Sequence, residues 1–73
     1  MDYNIFILIG KNIKKNREEK NYTIKDLAIT TNLDIDYIEK IEKEGVDGSI
    51  TFDELIKISS ALGVNITDLF KEN

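Results

Sequence analysis

The side chains in this chain that can do chemistry are almost all charged, and they are unevenly distributed. Residues 1–28 hold six cations, Lys11, Lys14, Lys15, Arg17, Lys20 and Lys25, against four acids, Asp2, Glu18, Glu19 and Asp26. Residues 29–73 hold four cations against ten acids, so the two parts carry +2 and −6 and sum to the net charge of −4. Lysines clustered on one segment suit phosphate oxyanions, because neutralising phosphates and releasing their counterions drives nonspecific binding to nucleic acid. That basic footprint is confined to the first helical segment.

Other chemistries lack their parts. With no histidine and no cysteine in 73 residues, the chain has no imidazole base, thiol nucleophile or soft metal ligand. No glycine-rich loop precedes a Lys-Ser or Lys-Thr pair, and Gly45-x-x-Gly48 reads as a turn. Asp53-Glu54 reads as first-turn helix charge. The expectation is no enzyme, no cofactor and no metal.

The elements that position these charges follow from apolar spacing. Ile5, Phe6, Ile9 and Ile13 recur at helical intervals, as do Ile24, Leu27 and Ala28; Ile35, Ile38 and Ile41; Phe52, Leu55, Ile56, Ile58 and Leu62; and Ile66, Leu69 and Phe70. Start signals precede four of the sets: Thr23 with Asp26, Asp34, Thr51 with Glu54, and Asn65 with Asp68. Asn32, Gly45 and Gly63 supply stops that tolerate left-handed backbone. The reading is an all-α fold of five helices, approximately 4–19, 24–31, 35–43, 52–62 and 66–71, in one domain over 1–73.

Proline, low-complexity tracts and internal repeats are absent, so nothing divides the chain. The run Ile5-Phe6-Ile7-Leu8-Ile9 is far shorter than the roughly 20 apolar residues a membrane span requires, and it lacks a positive leader. Without cysteines to staple a secreted fold, the cytosol is the expected compartment. A core this small gives marginal stability unless the chain dimerises. The second and third helices, separated by about three residues between Thr31 and the Asp34 cap, have helix-turn-helix spacing: they must cross steeply, and the third is presented outward.

In order and spacing, several stretches resemble the lambda-repressor-like, Cro/XRE-type helix-turn-helix DNA-binding family. They are Ile9-Gly10-Lys11-Asn12-Ile13-Lys14 with Arg17; Tyr22-Thr23-Ile24-Lys25-Asp26-Leu27-Ala28; Tyr37-Ile38-Glu39-Lys40-Ile41-Glu42; and Leu55 through Val64 with Asp68-Leu69-Phe70. The resemblance covers roughly residues 8–70. It implies a compact five-helix domain with a central helix-turn-helix that regulates transcription by binding double-stranded DNA, usually as a symmetric homodimer.

Carried over by position, it implies base or groove contacts from Ile35, Asp36, Tyr37 and Lys40, and phosphate contacts from Thr23, Ile24, Lys25 and Lys43. It also implies a structural ion pair between Arg17 and Glu42. Dimer candidates are Val64, Ile66, Leu69 and Phe70, with Ile7 and Leu8 in the opening run.

Several positions depart from the family pattern. Ile24 stands where glutamine is common, Asn16 where a core leucine is usual, and the loop Lys43 to Ile50 is about two residues longer. Asp36 and Glu39 put carboxylates on a helix that usually carries neutral or basic polar residues. A carboxylate accepts a hydrogen bond from cytosine N4 but repels phosphate. A second reading therefore stands beside the first: a helix-turn-helix scaffold used as a protein-interaction module, whose acidic third helix faces a basic protein partner.

Overall fold

Residues 4–72 are described in the computed structural model, and the domain drawn over 1–73 extends beyond them at both ends. Helix α1 runs Ile5–Glu19. Asn4 starts it, its side-chain oxygen accepting from the N–H groups of Phe6 at 3.0 Å and Ile7 at 3.3 Å. Helix α2 runs Ile24–Thr31 and opens on a reciprocal cap: Thr23 Oγ1 accepts from the Asp26 N–H and the Asp26 carboxylate accepts from the Thr23 N–H. Asn32 ends it at φ 59°, ψ 35°, and the Leu33 N–H returns to the Ala28 carbonyl at 3.1 Å.

Helix α3, Ile35–Glu44, starts differently. Asp34 occupies the cap position, but its side chain accepts no capping hydrogen bond, contrary to expectation. Its backbone carbonyl takes the Ile38 N–H at 3.1 Å, and tertiary contacts hold the rest. Helix α4, Phe52–Leu62, has the Thr51–Glu54 reciprocal cap and ends at Gly63, φ 71° and ψ 29°.

The fifth helix is corrected by the structure: Ile66–Phe70 is a single stretch of 3-10 helix. Its first turn closes with Asp68 N–H to Asn65 carbonyl at 2.9 Å, the tighter bond typical of short segments. The chain cannot wind further, because Asn12 Nδ2 captures the carbonyls of Leu69 and Lys71, each at 2.8 Å, and Lys71 is already extended.

α1 packs against α3, the 3-10 segment and α4, while α2 packs on α3 and α4. Ile9, Ile13, Leu27, Ala28, Ile38, Ile41, Val46, Leu55, Ile58, Leu62 and Leu69 form the core. At α1–α3 the backbones nearly touch: a Cβ on Gly10 would stand 2.2 Å from the Ile41 carbonyl oxygen, so only glycine fits. Gly45, at φ 93°, then turns the chain under α1, and the Val46 N–H donates to the Phe6 carbonyl at 3.1 Å.

Not every residue of the helical apolar spacing lies in this interior. Phe6, Ile35, Phe52, Ile56 and Phe70 are exposed, Phe52 by 65%. Phe6, Ile35, Phe52 and Phe70 sit at or next to element ends. Conversely Asn12, a polar residue, is 2% exposed and donates to the C-terminal backbone. Asn16, which replaces a core leucine of the family pattern, is half-buried and donates to the Asn12 carbonyl one turn earlier at 2.7 Å.

Candidate nucleic-acid interface

One face gathers most of the polar residues singled out from sequence. The outward side of α3 and the last turns of α1 border an open groove whose lining includes Lys14, Ile24, Asp36, Glu39, Lys40 and Lys43. Among the α1 lysines, Lys14 reaches it, and Lys11 and Lys15 do not line it. On α3 the exposed residues are Ile35, Asp36, Glu39, Lys40, Lys43 and Glu44, while Ile38 and Ile41 point into the core.

Tyr37 is placed differently from the other three base-contact candidates. It is half-buried, packs on the core, and donates from its hydroxyl to Glu54 Oε1 at 2.9 Å. Burial and the adjacent Glu54 carboxylate push its hydroxyl pKa up to about 12. The ring therefore ties α3 to α4. The same Glu54 oxygen accepts from the Thr51 N–H at 3.1 Å, so the α4 cap and the α3 tie share one carboxylate.

Near the other end of α3, Arg17 and Glu42 meet in a fork. Nε to Oε2 is 2.7 Å and Nη2 to Oε1 is 2.9 Å, and Nη1 donates to the Tyr22 carbonyl at 2.7 Å. Both side chains are nearly buried, at 9% and 5% exposure. Glu42 raises the guanidinium pKa, chiefly through these hydrogen bonds. One arginine thereby joins α1, the α1–α2 connection and α3, fixing the angle at which α3 is presented.

At the start of α2 the local cap limits what is available. Thr23 spends its hydroxyl and its N–H on Asp26, whose carboxylate is held below its ordinary pKa by the Thr23 backbone and side-chain bonds. The Ile24 and Lys25 N–H groups remain as the first-turn donors without intrahelical partners. The Ile24 side chain leans on the core, whereas Lys25 is exposed.

The dimer candidates separate. Leu69 is 0% exposed and closes the core of its own chain, so it cannot form part of an outer surface. Val64 and Ile66 are half-buried against that core, Leu8 is half-buried, and Ile7 and Phe70 are exposed. Gly10, Asn12 and the Tyr37–Glu54 bond were not legible as site-positioning features: a helical glycine, a polar residue on a basic helix and a capping glutamate each look complete locally. Among the described residues no group of three or more metal-ligating side chains occurs, and no helix is long and apolar enough to cross a membrane.

The helix-turn-helix domain family matches residues 10–73 of this chain. The chain is 36% identical over 63 residues to the HTH-type transcriptional regulator SlrR of Bacillus subtilis, a match covering 86% of this chain and 41% of SlrR, so it spans less than half of that relative. The N-terminal DNA binding domain of SinR from Bacillus subtilis superposes with a TM-score of 0.78 at 30% identity, covering 90% of this chain and 94% of that one. The protein C.Esp1396I, solved bound to a 25 base pair operator site, superposes with a TM-score of 0.80 at 33% identity, covering 94% and 88%. The restriction-modification controller protein C.AhdI from Aeromonas hydrophila shares the fold, with a TM-score of 0.82 at 22% identity over 93% of this chain and 100% of that one.

Proposed function

This chain belongs to the helix-turn-helix domain family, and we propose that it is a sequence-specific, DNA-binding regulator of transcription that works in the cytosol as a homodimer. The observation that carries the reading is the outward face of α3, braced by Arg17–Glu42 and Tyr37–Glu54, in a fold shared with a relative solved on its operator. Ile35, Asp36 and Lys40 face base edges, and Tyr37 acts by holding the helix that carries them. Lys25, Lys43 and Lys14 neutralise phosphates, and the Ile24 and Lys25 N–H groups donate to one at the positive end of α2.

In the dimer two α3 helices enter successive major grooves about 34 Å apart. Ile7, Leu8, Val64, Ile66 and Phe70 are the candidate dimer residues, with Leu69 excluded by its burial. A chain of net charge −4 gains little from nonspecific attraction, so its affinity depends on a matched site and on the doubled contacts of a dimer.

The test is fluorescence anisotropy of the pure protein on DNA from upstream of its own gene, measured across salt concentrations. Binding with a steep negative slope of log affinity against log salt supports the regulator. No binding at low salt by a demonstrated dimer sinks it and leaves the interaction module, with a basic protein as partner, as the reading of the acidic face.

A further inference from the structure

The acids of this chain divide into those the fold uses and those it does not. Asp26, Glu54 and Asp68 accept capping bonds, Glu42 is held by Arg17, and Asp47 accepts from the Ser49 N–H at 2.8 Å. Asp36 and Glu39 accept no hydrogen bond and form no ion pair within the described residues, and both stand exposed beside the groove. On the same helix the lysines come later, at 40 and 43. Along its outward face α3 thus carries apolar Ile35 first, then these two carboxylates, then the two ammonium groups, with exposed Glu44 as its last residue.

Resting on the DNA-binding reading above, we propose that Asp36 and Glu39 are specificity-determining residues that select cytosine at one or both of two adjacent base pairs of each half-site. An ionised carboxylate only accepts, so it needs an amino group from the base. Guanine presents two acceptors in the major groove and repels it; adenine N6 donates, but N7 accepts beside it; cytosine offers its N4 amino group with no acceptor on its own ring edge. Three residues advance a helix by about 4.5 Å and one base step is about 3.4 Å, so the two side chains fall over neighbouring base pairs. Exposed Ile35 fits a thymine methyl beside them, Lys40 reaches the groove floor farther along, and Lys43 takes a phosphate.

This order explains why the acids are tolerable. A wrong base leaves its carboxylate facing an acceptor near phosphates, which lowers affinity for mismatched DNA more than it raises affinity for matched DNA. Discrimination is thereby obtained partly by repulsion.

The experiment selects binding sites from a pool of random-sequence duplexes with the full chain, its Asp36→Asn and Glu39→Gln variants, and the double variant. Neither side chain makes a bond within the fold, and unchanged circular dichroism and melting establish that each variant is folded. The wild type is expected to enrich cytosine over guanine by roughly 5- to 150-fold at one or both of two adjacent positions. Asp36→Asn should move its position toward adenine, whose N6 and N7 an amide satisfies together, and the double variant should bind random DNA more tightly than wild type. Guanine at those positions, or an unchanged consensus in both single variants, overturns the assignment while leaving DNA binding intact. Absence of any DNA binding overturns both together.

Discussion

α2 and α3 are neighbours of eight and ten residues, yet they are held in opposite ways. α2 is specified locally: a reciprocal Thr23–Asp26 cap at its start, the Thr31 hydroxyl on the Leu27 carbonyl at 2.7 Å, and a left-handed Asn32 at its end. α3 has no side-chain cap and is fixed by distant partners, Arg17 from α1, Glu54 from α4 and the bare backbone of Gly10. The helix with the exposed polar outward face is therefore the one that owes its position to the rest of the molecule. Its sequence is free to vary on the outward side without loss of its orientation.

Substitutions break this contrast in order of size. Arg17→Ala leaves the Glu42 carboxylate and the Tyr22 carbonyl buried without their partner, and should destabilise the fold by about 3–5 kcal/mol in urea unfolding. A loss under about 1 kcal/mol would mean that the fork does not fix α3. Gly10→Ala comes next. Helix propensity alone favours alanine by about 1 kcal/mol, but the 2.2 Å approach to the Ile41 oxygen reverses the sign and should cost roughly 1–3 kcal/mol. A stabilised variant would show that α1 and α3 are less tightly opposed.

Thr23→Ala should cost about 1 kcal/mol, because a formed cap is lost. Asp34→Ala, at the same position of the next helix, should change stability by no more than about 0.5 kcal/mol, since no bond is there to lose. Equal effects would erase the difference between the two helices.

Alkaline titration sharpens the contrast from the other direction. Tyr37 titrates near 12 in the folded chain against an ordinary value of 10.0. The proton is bound more tightly by the folded state, so the stability it contributes is complete below pH 10 and is lost as pH rises through about 12. Tyrosinate absorbance should show a late-titrating group that disappears in Tyr37→Phe; its persistence in that variant would refute the Tyr37–Glu54 tie.

The helices were legible because their signals are short-range. Caps, left-handed residues and 3.6-residue spacing act within one or two turns, and the expected spans 24–31 and 52–62 coincide with α2 and α4. The last segment was misread because its termination depends on Asn12, 57 residues away from Leu69. The Asp34 cap was misread because residue type permits a cap bond without requiring one. On the candidate site, exposure of Asp36 and Lys40 is consistent with helical phase, but the inward turn of Tyr37 required knowing that Glu54 stands opposite.

By itself, then, the sequence determined the helical class, most element boundaries and the uneven charge, since each depends on neighbours along the chain. The tertiary structure decided which residues are available to a partner: it buried Leu69, turned Tyr37 into a tie and left Asp36 and Glu39 unoccupied. Availability depends on which groups from distant segments arrive within bonding distance, and local patterning does not encode that distance.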